Sequence, residues 1–144
     1  SDLKRVNKFM KYLKNKNSNR DWEYSYQIKI LDQYSFFSDI KSVLEKRIKN
    51  SIYNNEEIIL NYSNYREIIQ FEINNSKIIL RKKDKNEVES NFALNPQGAV
   101  KLFFGEKGIE EISEFMPDCY VEEKYKDLIN VLFPLLDTHF YMNY

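Results

Sequence analysis

From Trp22 to Ile30 the chain alternates without a fault. Trp22, Tyr24, Tyr26, Ile28 and Ile30 are apolar, and Glu23, Ser25, Gln27 and Lys29 between them are polar. Side chains two residues apart share one side of an extended backbone, so this period predicts a strand with one dry and one wet face. Such a strand cannot stand alone. It needs neighbours for its hydrogen-bond ladder and a layer to cover its apolar face.

The remaining sequence offers both. Three β-rich runs, over residues 57–62, 66–73 and 77–83, are separated by Ser63-Asn64 and Asn74-Asn75. Asparagine tolerates the positive φ of tight turns, so an antiparallel meander is expected, extended to four strands by the first. In the middle run Ile69, Phe71 and Ile73 alternate with Ile68, Gln70 and Glu72. Helices form the covering layer. Residues 2–16 carry Leu3, Val6, Phe9, Met10 and Leu13 as one stripe, and residues 34–50 carry Phe36, Phe37, Ile40, Val43, Leu44 and Ile48. Asp32 or Ser35 is the expected N-cap of the latter.

Residues 84–90 read as a charged connection, and Asn95-Pro96-Gln97-Gly98 as a turn before a short helix over 99–104. A short acidic helix over 109–115 is stopped by Pro117, and a last helix over 123–140 is apolar nearly all round, with a kink or division at Pro134. The expected fold is α+β, a single domain over 1–144. Its sheet is antiparallel, of about four strands, with helices packed on one face.

Eleven Tyr and ten Phe with only three Gly and three Pro mark a chain that buries apolar surface rather than a disordered one. The lone Cys119 offers no internal disulfide, and there is neither a signal-like apolar run at the start nor a stretch of membrane-spanning length. A cytoplasmic location without a membrane segment is therefore expected.

Charge is neutral overall but segregated. Residues 1–20 hold seven Lys and Arg against Asp2, and residues 105–123 hold seven acidic side chains against Lys107. The basic helix presents Lys4, Arg5, Lys8, Lys11 and Lys16; the acidic segment presents Glu106, Glu110, Glu111, Glu114, Asp118, Glu122 and Glu123. Either patch can be a solvated surface, or it can steer an oppositely charged partner. A lysine-dominated helix grips phosphates but reads bases poorly, so sequence-specific DNA recognition is not expected of it.

Catalytic patterns fail on inspection. Pro117-Asp118 with Glu122-Glu123-Lys124 resembles the carboxylate–lysine pattern of metal-dependent nucleases, but three residues between Asp118 and Glu122 leave no room for a turn and a second strand. Cys119 and His139 form the one conceivable nucleophile–base pair, without a supporting signature. Gly98, Gly105 and Gly108 match no phosphate-binding loop, and zinc would need more Cys and His than the chain holds. The aromatic ladder Trp22, Tyr24, Tyr26 reads as core rather than as a stacking platform, because the opposite face of its strand is polar.

These readings give no enzyme, no cofactor and no metal. They favour a protein-binding module that uses segregated charge and aromatic anchors, a make-up shared by immunity, antitoxin and inhibitor proteins. The alternative is a nucleic-acid-binding accessory protein acting through the basic helix. Pairing of the two patches between copies would give a homodimer.

Overall fold

A computed structural model describes residues 32–136. The expected helix at 2–16, the strand at 22–30 and the end of the last helix lie outside the described residues.

Helix α1 (Gln33–Lys49) opens on Asp32, whose carboxylate accepts hydrogen bonds from Ser35 N and Ser35 Oγ. Asp32 is thus the cap and Ser35 its donor. These bonds hold the Asp32 carboxyl below the usual aspartate range. The helix buries the expected stripe, from Phe36 to Ile48, and ends on Lys46, Arg47 and Lys49, whose charges suit its negative end.

Strands β1 (Glu57–Ser63), β2 (Ile68–Asn74) and β3 (Lys77–Lys83) form the expected meander. The β2–β3 turn falls one residue later than the asparagine pair implies. Asn75 and Ser76 take φ of 49° and 65°, the double positive φ of a twist-compatible two-residue hairpin. Leu60, Phe71 and Leu80 stand in one inward row. Phe37 of α1 meets Phe71 and Tyr62 on this face, with ring centroids 4.9 and 5.7 Å away. Aromatic pairs at such distances add about 0.5–1.5 kcal/mol each beyond the area they bury.

The sheet differs from expectation in two respects. Among the described residues it has five strands rather than about four, and it is mixed rather than antiparallel, in the order β3-β2-β1-β4-β5. Strand β4 (Phe92–Ala93) runs parallel to β1, and β5 (Tyr120–Val121) runs antiparallel to β4. Two-residue strands carry no period to read. Joining β3 to β4 requires the chain to cross β2 and β1, and the outward-pointing Asn61 shows on which face it does so. Asn61 Nδ2 donates to Glu89 O, Asn61 N donates to Asn91 Oδ1, and Asn91 N donates to Asn61 O. The segment 84–91 is therefore a crossover laid on the outer face. Ile68 and Gln70, on the wet side of β2 by alternation, are nevertheless buried, and Gln70 Nε2 donates to Asn61 Oδ1.

Helix α2 (Pro96–Phe103) starts on Asn95, whose side chain accepts from Gly98 N, with Pro96 in the first turn. Its Phe103 ring lies 5.9 Å from that of Tyr62. Helix α3 (Ile109–Phe115) matches the expected span and buries Ile109 and Ile112. The last expected helix is shorter. A 3₁₀ turn (Glu123–Tyr125) leads into α4 (Lys126–Leu132), which stops at Phe133 because a residue before proline is pushed out of the helical region. Arg47 Nη1 donates to Leu132 O at 2.8 Å, tying α1 to that end. Leu136 N then bonds Gly105 O, and Gly105 (φ +73°) leaves no room for a Cβ against the Leu136 side chain.

Candidate protein-binding face

With Ile109 and Ile112 turned inward, Glu110, Glu111 and Glu114 are turned out. Glu110 and Glu111 occupy the first turn, where the positive end of the helix favours them. Lys107 reaches back to Glu111 at 3.2 Å, and Glu123 holds Lys126 at 2.8 Å. Both Glu123 and Glu110 act on Lys126, first through the hydrogen bond that Lys126 donates to Glu123 and then through their charges, and together they push its ammonium up. Glu110 of α3 and Glu123 of the 3₁₀ turn thus share one neighbourhood.

The other acidic residues are anchored by amides. Asp118 Oδ1 accepts from Asn95 Nδ2 at 2.9 Å, and Glu122 Oε1 from Asn91 Nδ2 at 3.3 Å. Glu106 follows α2, half-buried, its N–H bonded to Lys101 O. The seven carboxylates therefore form a band along α3, β5 and the 3₁₀ turn rather than a single pocket. Asp118 and Glu122 flank one short strand and face different amide partners, which is not the two-strand convergence a nuclease metal site needs. Among the described residues no three Cys, His, Asp or Glu side chains gather as a metal site. Among the described residues the stretch around Tyr120 forms the edge strand β5.

Three exposed aromatics stand on this side, and sequence reasoning named none of them. Phe115 is 73% exposed, Tyr65 46% and Tyr120 40%. Tyr65 occupies the β1–β2 turn at φ +71°, a costly conformation for a bulky residue. Its surroundings hold it there. Asn64 Oδ1 accepts from Arg66 N and Glu67 N, Ser63 Oγ accepts from Tyr65 N, and Lys85 Nζ donates to Tyr65 O. The Tyr65 hydroxyl donates to Asp118 O, and Tyr120 shares a hydroxyl–hydroxyl bond with Ser90. Burial first, then the charges of Asp118 and Tyr120, push the Tyr65 hydroxyl up. The helical period did not single out Phe115: it lies three and Met116 four residues beyond Ile112, both spacings share one face, and the structure packs Met116 on the core.

Beneath this surface, Cys119 is buried, and its thiol is pushed up by that burial despite a hydrogen bond from Asn95 N. A buried thiol held neutral is a poor nucleophile. His139, the helix with Lys4, Arg5, Lys8, Lys11 and Lys16, and the ladder of Trp22, Tyr24 and Tyr26 lie outside the described residues. Among the described residues no helix is long and apolar enough to cross a membrane. No protein-family model matches the sequence, and no curated protein or solved structure matches it significantly.

Proposed function

We propose that the chain is a non-catalytic, cytoplasmic protein-binding module of the immunity, antitoxin or inhibitor type, and that the face built on α3 and β5 receives a basic partner protein. The observation that carries this reading is the placement of exposed Tyr65 and Tyr120 beside Asp118, with exposed Phe115 on the same short helix as Glu110 and Glu114. Aromatic side chains are the usual anchors of interfaces, and a surrounding band of one charge sign speeds encounter with an oppositely charged surface. Among the described residues Phe115 stacks on no other ring and is not part of the core.

The test is capture from native lysate after nuclease digestion, using the whole chain, Phe115→Ala and Glu110→Lys/Glu114→Lys in parallel. A stoichiometric basic protein, held by the wild type and lost by both variants, is the expected result. An anchor of this kind accounts for about 2 kcal/mol or more, roughly a thirtyfold loss of affinity. Capture that both variants retain, or a lone monomer by light scattering with nothing captured, would refute the reading. A dimer broken by Glu110→Lys/Glu114→Lys would identify the partner as a second copy.

A further inference from the structure

At the opposite end of the sheet lies a groove of different character. It is open, of about 700 Å³, between the C-terminal half of α1 and the tip of the β2–β3 hairpin, with Lys46, Lys49, Lys77, Asn50, Asn54 and Asn75 among its lining residues. We infer that this groove is a second binding site, and that its ligand is the phosphate backbone of a nucleic acid.

The charge balance of the groove comes first. Among the described residues Lys46, Lys49 and Lys77 form no ion pair, and the one carboxylate in the lining, Glu45, spends Oε2 on Ile78 N at 2.9 Å. A helix C-terminus ordinarily repels anions. Here its carbonyls are already occupied: Lys46 O accepts from Asn50 N, and Ile48 O accepts from both Ser51 N and Ser51 Oγ. The side-chain amides of Asn50, Asn54 and Asn75 bond no protein group among the described residues, so they are available as neutral donors beside three ammonium groups.

The lining also discriminates between anions. Sites for small ligands are enclosed and lined mostly by apolar side chains, and this groove is open, with lining residues that are all polar or charged. An acidic peptide would seek an aromatic or aliphatic anchor, and none of the lining residues supplies one. Lysine, asparagine and serine are the ordinary contacts of phosphate and sugar, and without arginine forks they position a duplex without reading it. The hairpin tip stands beside Glu57 and Asn74, and the Tyr120 end of the acidic face beside Ser63 and Ala93, at opposite ends of β1.

The experiment is fluorescence anisotropy of a labelled 20-base-pair duplex titrated with the full chain between 50 and 200 mM KCl. Three lysine–phosphate contacts contribute a log–log salt slope of about −2.7, which is roughly a fortyfold loss across that range. Lys46→Glu/Lys49→Glu/Lys77→Glu is expected to bind at least tenfold more weakly with a slope shallower by about 2.7, and the Lys→Arg triple to bind as wild type. Lys4→Glu/Lys8→Glu/Lys11→Glu is expected to keep the groove's contribution. The inference is overturned if the duplex does not bind at 50 mM KCl, or if only the Lys4/Lys8/Lys11 variant loses binding. Poly-glutamate displacing the duplex through the same three lysines would overturn it in favour of an acidic protein segment. Thermal melts of each variant separate loss of binding from loss of fold.

Discussion

Tyr62 is fully buried, and among the described residues its hydroxyl finds no hydrogen-bond partner. Gln33 lies near enough to favour the ionised phenol slightly, but no bond of normal geometry closes between them, and Gln33 Oε1 accepts instead from Asn64 Nδ2. A hydroxyl stripped of water without a replacement bond costs about 1–3 kcal/mol. Tyr62→Phe removes that cost while keeping the ring contacts with Phe37, Phe92 and Phe103. The variant is therefore expected to be more stable by about 1–3 kcal/mol, raising Tm by roughly 3–10 °C for a chain of this size. The pH dependence offers a second reading. Burial pushes the Tyr62 hydroxyl far above its ordinary value of 10.0. A phenol that ionises when unfolded but not when folded leaves stability untouched below that value and lowers it above, by about 1.4 kcal/mol per pH unit. Chemical denaturation of wild type and Tyr62→Phe between pH 7 and 11.5 measures both effects. The wild type is expected to lose stability more steeply than the variant above pH 10. Destabilisation by Tyr62→Phe at pH 7 would refute the reasoning, since it would mean that the hydroxyl makes a favourable bond.

Two further outcomes follow from the same packing. A Cβ added at Gly98 would stand 2.6 Å from Cys119 Sγ, so Gly98→Ala is expected to cost about 1–3 kcal/mol of overpacking. Removing the sulfur should relieve it, and equilibrium unfolding of Gly98→Ala, Cys119→Ala and the double variant should show the double to be less damaged than the sum of the singles. Asp32→Asn keeps a good cap but removes a carboxyl whose folded pKa is depressed by Ser35. Its stabilising charge is present above pH 4 and lost as pH falls through the depressed value, so melts at low pH should show a flatter decline for Asp32→Asn than for the wild type.

What was legible in the sequence was whatever carries a period. Ile69, Phe71 and Ile73 announced β2, and the spacing from Phe36 to Ile48 announced α1, with its cap narrowed to Asp32 or Ser35. Ile109 to Phe115 was legible because glycine and proline bracket it. What escaped depends on distant contact. Phe92–Ala93 and Tyr120–Val121 are too short to show alternation, and their pairing exists only because the 84–91 crossover delivers β4 beside β1. Ile68 is buried against the pattern of its own strand. At the candidate face the carboxylates were visible as a run of charge. Tyr65 was not, because its exposure and its positive φ come from the turn held by Asn64 and Lys85 rather than from neighbours in sequence.

The contact between α1 and β3 has one more effect. A strand at the margin of a sheet offers unpaired N–H and C=O groups to any other chain that can lie alongside, which is how ordered proteins begin to aggregate. On β3 two such groups are already taken by α1, Ile78 N by the Glu45 carboxylate and Leu80 O by the Tyr34 hydroxyl. Lys82, whose ammonium sits 5.3 Å over the Tyr34 ring, adds a charge at the same margin. Helix α1 therefore guards the strand as well as covering the core, and its polar side chains at Tyr34 and Glu45 keep the sheet from acting as a template for a neighbouring chain.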